Sequence, residues 1–358
     1  MEQNEKLEIL TQLFLNLSES EKENFFARIA GNIHETIKVT SEVKQTKSSL
    51  IQSVSKKAVC SVCGSSHVVR NGWKCNVQQY LCRDCGKSFG DTENTILKST
   101  KKKLDVWRLY IKCMVEKMSL RKCAEVCNMN LKTAFLWRHK ILDALQNMMN
   151  AVQLNGVVEA DETFTAISYK GQKLLPRKPH KRGEKAEKRG LSKEKVCIPC
   201  GINMNGLSVA KISNLGKPSW KDIQSVLGGK IEKQSILVTD SFKGYHKLAS
   251  KMEVTHIRIP RKKHTSGTFN IQLLNNYHSQ LKKMINDRFN GVSTKYLNNY
   301  LVYHNMVNFS NGNDAFKEET MFRFTMTTNY MKTRNDVFCR PLIPTLDTLG
   351  NVKTDRRQ

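Results

Sequence analysis

Two Cys-x-x-Cys pairs constrain the fold of this 358-residue chain more than any other feature. The first pair is Cys60 and Cys63, the second is Cys82 and Cys85, and eighteen residues separate them. Each pair can form a tight knuckle in which both thiolates face one cation, and four thiolates suit tetrahedral zinc. A glycine after each pair permits the positive φ that such turns often need. We therefore predict a structural zinc ribbon over residues 58–92, with four unrelated free thiols as the alternative.

The remaining cysteines are expected to be buried thiols. The chain has 11 cysteines, an odd number that internal disulfides cannot use up. Cys75 lies between the two pairs, and we expect it to be buried rather than a fifth ligand. Cys123 and Cys127 have the spacing of core residues in a helix. Cys197 and Cys200 have an odd spacing on a predicted strand, which sends their side chains to opposite faces and argues against zinc or redox chemistry.

The charge of the chain indicates a polyanionic partner. Lysine and arginine number 59 against 32 acidic residues, a formal net charge of +27. Such a surplus binds nucleic acid through release of counterions, so binding should weaken steeply with salt; a cationic surface that only aids solubility is the alternative. Apolar residues make up 39%, which is sufficient for hydrophobic cores. No long apolar run and no signal-peptide pattern occur, so we expect a cytoplasmic, nucleoid-associated protein without membrane contact.

The N-terminal third contains helical patterns on either side of the ribbon. Residues 1–40 carry apolar side chains at helical spacing and are predicted to form a helical hairpin, and the polar residues 41–57 are predicted to be a linker. Residues 100–150 have the spacing of a helix-turn-helix DNA-binding region, with Ser119 and Asn130 as N-caps of its two helices. A helical pair that only packs is the alternative.

The second helix of this region carries the basic residues that we predict to contact DNA. The first helix would cross the second at the small residue Ala124. With the crossing there, every position that must be buried carries an apolar side chain. These buried positions are Cys123, Cys127, Met129, Ala134 and Trp137. The predicted DNA-contacting residues are Lys132, Arg138, His139 and Lys140.

From Val157 onward, short apolar runs alternate with helical stretches, which predicts a mixed α/β layer over residues 154–310. A basic insertion, residues 170–195, lies between the first two predicted strands. It is either a solvated loop or an arm that clamps DNA. Residues 311–358 are predicted to be a C-terminal tail. The DNA-contacting candidates in the insertion are Arg177, Lys178, Lys181 and Arg182.

Oxygen ligands follow two of the predicted strands. Asp161 follows the apolar start of one predicted strand. Asp240 directly follows another predicted strand, the run from Ile236 to Thr239. Two carboxylates of one sheet can meet around a divalent cation, and paired divalent cations suit phosphoryl transfer. A helical face follows them: Asn275 with His278, Ser279 and Lys282 at i, i+3, i+4 and i+7. For each of these segments taken singly, a solvated or capping role is the alternative.

Taken together, the motifs resemble the zinc-ribbon insertion-sequence transposases of bacteria. The resemblance rests on VEADETF from Val158, TDSFKGYHKL from Thr239 and NNYHSQLKK from Asn275, followed by FNGVSTKYLNNYL from Phe289. With the ribbon, the WRHKIL of the helical region and the basic insertion in the same order, it covers residues 58–308. The resemblance implies an RNase H-like, retroviral-integrase-like catalytic domain with an acidic triad.

The resemblance also implies a reaction and its participants. Such an enzyme binds the inverted ends of its element, cuts there with Mg²⁺ or Mn²⁺, and joins the 3′ hydroxyls to target DNA, generally as a homo-oligomer of at least two chains. Asp161 and Asp240 match the first two metal-binding carboxylates, Asn275 matches the third position, and Lys282 matches the basic residue that touches element-end DNA. His278 and Asn276 are alternatives to Asn275 at the third position, and Glu159, on the same strand face as Asp161, is a candidate for an assisting role.

Asn275 departs from the wider superfamily, which usually has Glu at that position. An amide offers a carbonyl oxygen but no charge, so the site has one negative charge fewer. Two other functions therefore remain open from the sequence: a transposase-derived DNA-binding protein or regulator without catalysis, and a nuclease of the same fold that cleaves without joining.

Overall fold

The structure is a computed structural model, and it describes most of the chain from the first cysteine pair onward. The N-terminal hairpin and linker, Cys75, and the four basic residues of the insertion, Arg177, Lys178, Lys181 and Arg182, lie outside the described residues. The chain divides into two units, 1–46 and 47–358, and every described residue belongs to the second. The described ranges are 59–74, 77–90, 92–98, 100–172, 190–308, 313–330 and 332–343.

The first element is a small antiparallel sheet next to the cysteines. It contains β1 (Val68–Lys74), β2 (Val77–Cys82) and β3 (Ser88–Gly90) in that order. Its core is small, with Tyr80 and Phe89 stacked at 5.8 Å between ring centroids. A core of this size supplies little stability, so a bound metal would be needed to hold such a sheet together.

Three helices follow, and two begin where the sequence predicts. They are α1 (Leu104–Val115), α2 (Leu120–Val126) and α3 (Leu131–Asn150). The Ser119 hydroxyl accepts the N–H of the third residue of α2 at 3.3 Å, and the Asn130 amide oxygen accepts the N–H of the second residue of α3 at 2.8 Å. Both predicted N-caps are confirmed.

The apolar positions of these helices form a core as predicted, with one difference. Ala124 is buried at the contact, and Trp137 stacks on Trp107 at 3.5 Å between centroids. Met129 is only half-buried because it lies in the turn between α2 and α3. The buried members of the predicted set are Cys123, Cys127, Ala134 and Trp137.

Two of the basic residues assigned to DNA are in the interior, so that prediction is wrong for Arg138 and His139. Both are fully buried. The Arg138 guanidinium donates to the Met118 carbonyl at 2.8 Å and lies over the Phe289 ring at 5.4 Å. The His139 ring packs on Tyr296 at 4.3 Å between centroids. The reason is that α3 is packed on several sides along its length, which the basic composition of one stretch does not reveal.

The five-stranded sheet confirms the predicted mixed α/β layer. Its strands are β4 (Val157–Ala166), β5 (Lys195–Asn203), β6 (Ser208–Ala210), β7 (Ile236–Thr239) and β8 (Thr255–Arg258). The order across the sheet is β6-β5-β4-β7-β8. β4, β5 and β6 are antiparallel neighbours, whereas β4, β7 and β8 run parallel.

Helices cover both faces of the sheet. On one face, α4 (Trp220–Leu227) and α5 (Gly244–Met252) share a core with Val158 and Ala160 of β4. On the other face lies α6 (Gln272–Lys283), preceded by the two-residue strands β9 (Thr265–Ser266) and β10 (Phe269–Asn270). Among the described helices, none is long and apolar enough to cross a membrane.

The helical region and the sheet share one core. α6 continues through a π-helical turn (Met284–Arg288), and α7 (Leu297–Asn308) follows a 3₁₀ turn (Thr294–Tyr296). The buried side chains of α6 and α7 belong to the same cluster as those of α1, α2 and α3. The Tyr303 hydroxyl donates to the Met114 carbonyl across this contact. Residues 100–150 therefore pack as part of the body that contains the sheet.

The described part of the predicted tail packs against α1 and α3. It contains α8 (Asp314–Thr327) and α9 (Arg334–Phe338). The Arg108 guanidinium lies 3.8 Å from the centroid of the Phe322 ring and donates to the Glu319 carboxylate at 2.8 Å. Residues 313–330 and 332–343 thus form a packed segment rather than a tail.

A buried carboxylate joins this C-terminal segment to α3. Asp143 is 5% exposed. Its Oδ2 accepts from Arg340 at 2.5 Å, its Oδ1 lies 3.6 Å from the Lys332 ammonium, and Asn299 donates to Oδ1 at 3.0 Å. Because a buried carboxylate is costly without partners, these contacts hold the segment in place.

We predict that Arg340→Ala lowers the free energy of unfolding by roughly 2–4 kcal/mol, since it removes the nearest cation from the buried Asp143 carboxylate. The remaining partners are the neutral donors Asn299 and Tyr330 and the more distant Lys332. Urea denaturation of the full chain measures this. Arg334→Ala is the matched control, because Arg334 is exposed and its described contact is with the ring of Phe338. Equal losses in the two variants would contradict the role of Asp143.

Candidate active site

The parallel pairing of β4 with β7 brings two carboxylates side by side. The register aligns Ala160 with Thr239, and Asp161 and Asp240 are the next residues on the two chains. Neighbouring strands are about 4.8 Å apart, so residues at this level are in reach of one ligand. Burial raises the pKa of Asp161 to about 6, and the nearby Asp240 charge adds to the increase while Lys282 opposes it. The Asp240 carboxylate is held by the Phe242 N–H at 2.8 Å.

A buried glutamate fixes α6 against this pair. Glu159 precedes Asp161 by two residues on the same strand face. It is 1% exposed, and its Oε2 accepts the Leu274 N–H at 2.8 Å. Burial raises the pKa of Glu159, and amide N–H groups at the start of α6 lower it. Asn275 follows Leu274 directly, so this contact decides where Asn275 lies.

The predicted helical face lines a single cavity together with Asp161. The cavity is about 660 Å³, and the α6 residues along it are Asn275, His278, Ser279 and Lys282. Asp240 lines a second cavity of about 990 Å³. Asn275 lines both. The structure therefore assembles the three sequence segments at one place, with Asn275 at the junction of two openings.

His278 is the most buried polar group on this helical face. It is 7% exposed, and burial together with the Lys282 charge lowers its pKa to about 4. Its Nε2 has no hydrogen-bond partner among the described residues. The ring is therefore neutral at pH 7 and retains a nitrogen that can accept or donate.

Glu162 is a titratable group at the site that the sequence left without a role. It follows Asp161 on the strand, so its side chain belongs to the opposite face, where it is close to Tyr245 of α5. Burial raises the pKa of Glu162 to about 7, and the neighbouring Asp161 and Asp240 charges act in the same direction. The alternation of side chains along a strand predicts the face to which Glu162 points. Its burial follows only from the packing of α5 on that face.

The oxygen donors fit a hard divalent cation. Two carboxylates and one amide oxygen, from Asp161, Asp240 and Asn275, are ligands that Mg²⁺ and Mn²⁺ accept. Burial is the main cause of the raised Asp161 pKa, and the Asp240 charge adds to it; a cation between the two carboxylates would relieve that repulsion. Glu159 does not belong to this donor set, because its carboxylate is sealed under α6 and is already bound by an amide. Glu159 therefore stays a candidate for an assisting role, through its contact with α6.

The four predicted cysteines form a cluster that can hold a metal ion. Their sulfur atoms all lie within 4.8 Å of one another, with 3.6 Å between Cys60 and Cys85 and 3.6 Å between Cys63 and Cys82. Thiolates about 2.3 Å from a tetrahedral zinc are about 3.8 Å apart, so the spacing fits. The glycines after the pairs have φ of 76° and 67°, as predicted.

The remaining DNA-contact candidates differ in accessibility. Lys132 in the first turn of α3 and Lys282 at the cavity are exposed. Lys140 is half-buried, and burial lowers its pKa. Cys197 and Cys200 are fully buried in β5, and the Cys200 thiol donates to the Ile198 carbonyl at 3.3 Å.

Residues 153–306 match the family described as the ISXO2-like transposase domain. The matched segment includes the five-stranded sheet, Asp161, Asp240 and α6. The chain is also 24% identical over 190 residues to an uncharacterized protein in the transposable element ISH50 of Halobacterium salinarum. That alignment covers 53% of this chain and 64% of the relative, so the chain spans less than two thirds of the relative's length.

Two crystal structures of Mos1 show weak similarity. The pre-cleavage Mos1 transpososome has a TM-score of 0.26 and 9% identity over 62% of this chain and 79% of that chain. The Mos1 mariner paired end complex with Mn has a TM-score of 0.25 and 10% identity over 60% of this chain and 74% of that chain. Scores of this size do not define a shared fold.

We predict that Glu159→Ala lowers the free energy of unfolding by roughly 1–3 kcal/mol, because it leaves the first amides of α6 buried without an acceptor. Glu159→Gln retains an acceptor oxygen and should lose clearly less. Urea denaturation measures both. If Glu159 instead acted only by binding a metal ion, both variants would keep wild-type stability.

Proposed function

We propose that the chain is a DNA transposase that binds the ends of its own element, cleaves there and joins 3′ hydroxyls to target DNA. The observation that carries the proposal is the parallel β4–β7 register, which brings Asp161 and Asp240 together beside Asn275. The match of residues 153–306 to a transposase domain supports it, as does the mixed sheet with helices on both faces, which is consistent with an RNase H-like fold.

The side chains of the site have distinct roles in this proposal. Asp161, Asp240 and the Asn275 amide oxygen hold Mg²⁺ or Mn²⁺, with neutral His278 as the alternative third ligand. When bound, the divalent cations activate the attacking hydroxyl and stabilise the leaving oxygen of phosphoryl transfer. The Lys282 ammonium, exposed at the cavity, neutralises a phosphate of element-end DNA.

The segments before the sheet serve DNA binding in this proposal. The four-cysteine ribbon over residues 58–92 holds structural zinc, and residues 100–150 act as a helix-turn-helix that contacts DNA through the exposed Lys132. The basic insertion, 170–195, adds phosphate contacts. Two chains act together on paired element ends, which makes the working unit a homo-oligomer.

A second candidate is a transposase-derived regulator that binds the same DNA without cutting it. Asn275 favours it, because an amide in place of a carboxylate removes one negative charge from the cation site. Both candidates predict DNA binding, so only catalysis separates them.

The test is incubation of the purified chain with Mg²⁺ or Mn²⁺ and duplexes cloned from the DNA that flanks its gene. We expect 3′-end nicking and joining by the wild type. Asp161→Ala and Asp240→Ala should each reduce both products by at least on the order of 100-fold, because several kcal/mol of charge stabilisation are lost. Denaturing gels of end-labelled DNA measure the products.

Three results would each decide against part of this proposal. Equal activity in wild type and both aspartate variants excludes the assigned carboxylates. Nicking without joined product identifies a nuclease. Tight binding to the duplex with neither nicked nor joined DNA, in Mg²⁺ and in Mn²⁺, favours the transposase-derived regulator.

Removal of zinc should unfold the ribbon and weaken DNA binding. Structural zinc contributes folding free energy directly, so a chelator or Cys82→Ser should release one zinc per chain and reduce affinity for DNA. Metal analysis and fluorescence anisotropy measure the two effects. Cys339→Ser is the control, since Cys339 is an exposed thiol outside the cluster. Unchanged DNA affinity after zinc loss would show that the ribbon has no part in binding.

A further inference from the structure

The larger of the two cavities at the candidate site is lined by a concentration of positive charge. Asp240 and Asn275 form one end of it. Six cationic side chains line the rest, and we call them the basic cleft. They are Lys217, Lys243, Arg258, Arg261, Lys262 and Lys263.

The charges of the basic cleft are not compensated by neighbouring acids. All six side chains are exposed, and none forms an ion pair with a carboxylate in the part of the chain that the structure describes. Among the residues that line the cavity, Asp240 is the one carboxylate. Six cations around a concave surface create a field that attracts a polyanion.

Three of the cations lie on a turn that is anchored to the acidic pair. The Ile259 N–H donates to the Thr239 carbonyl at 2.9 Å, and the Ser241 hydroxyl donates to the Ile259 carbonyl at 2.8 Å. Thr239 and Ser241 are the neighbours of Asp240. The turn over residues 260–263 is therefore held beside Asp240.

Lys262 occupies a position in this turn whose backbone conformation favours glycine. The Lys263 N–H donates to the Pro260 carbonyl at 3.0 Å, which closes a β-turn with Lys262 at its third position. Lys262 has φ of 65°, a left-handed conformation that favours glycine or asparagine. A lysine in this conformation destabilises the turn slightly. Its contribution at this position is therefore its positive charge in the cleft, not the stability of the turn.

We propose that the basic cleft binds the sugar–phosphate backbone of DNA on one side of the phosphate that reacts at Asp161 and Asp240. Because Asn275 lines both cavities, a DNA strand can pass from the basic cleft across the acidic pair to the cavity of Lys282. This inference rests on the proposed function and assigns to it a second DNA contact, separate from Lys282, Lys132 and the insertion.

The test compares two triple variants of the full chain with equal loss of charge. The cleft variant is Arg261→Ala, Lys262→Gly, Lys263→Ala. The control variant is Lys221→Ala, Lys247→Ala, Lys251→Ala, which removes three exposed lysines of α4 and α5 that do not line the cleft. The probes are two fluorescein-labelled 30-base-pair duplexes, one cloned from the DNA flanking the gene and one of unrelated sequence.

Each phosphate contact contributes about 0.9 to the slope of log affinity against log salt. We expect the cleft variant to reduce this slope by about 2–3 and to weaken binding roughly 10-fold or more at 0.1 M salt. The control variant should change the slope by less than about 1. An effect on the flanking duplex alone identifies element-end DNA in the cleft, and an effect on the unrelated duplex alone identifies target DNA. Cleft and control variants with equal slopes on both duplexes overturn the proposal.

A single substitution separates charge from folding. Lys262→Gly removes one charge and relieves the left-handed φ, so the thermal midpoint should be unchanged or higher while the salt slope falls by about 1. An unchanged slope in this variant means that Lys262 contacts no phosphate.

Failure of this inference is distinguishable from failure of the proposed function. If the wild type produces no nicked or joined DNA but the cleft variant still loses affinity and slope, the activity is wrong and the cleft contact stands. If the wild type cleaves and joins while the cleft variant binds like the control, the activity stands and the cleft contact is wrong.

Discussion

The hydrogen bond from the Leu274 amide to the buried Glu159 carboxylate is the contact on which the candidate site depends. It places a negative charge at the N-terminal end of α6, where the helix dipole favours it. It also sets the rotation of α6 over β4. Successive helix residues are about 100° apart, so Asn275 lies on a different side of α6 from Leu274, where it lines the same cavity as Asp161. Glu159 thus contacts the helix that carries Asn275 but does not line the cavity of Asp161.

The distribution of charge around the site follows from the same packing. The two carboxylates lie at the end of parallel strands, Lys282 flanks one of them, and the basic cleft flanks the other. The large positive charge of the chain is therefore not uniform, since part of it borders the acidic pair. An acidic centre that can bind a cation suits the reacting phosphate of a polyanion. The cationic surfaces on either side suit its neighbouring phosphates, whose charge they neutralise.

Local features were predictable from sequence because short-range physics determines them. The cysteine spacing, the glycines after each pair, and the caps Ser119 and Asn130 all depend on residues within a few positions of one another. The helical face of Asn275, His278 and Lys282 is a matter of helix period. The burial of Arg138 and His139 was not predictable in this way, because α3 packs against α7 and the C-terminal segment, elements more than 150 residues away in sequence.

The sequence by itself determined the chemical types of the candidate site residues, their order and the alternation of strands and helices, because these follow from residue chemistry and local periodicity. Only the tertiary structure decided that Ala160 pairs with Thr239, that Glu159 is sealed beneath α6, and that the run Arg261 to Lys263 lines the same cavity as Asp240. The physical reason is that strand register and helix docking are selected by burial of apolar surface between distant segments, which no single segment encodes.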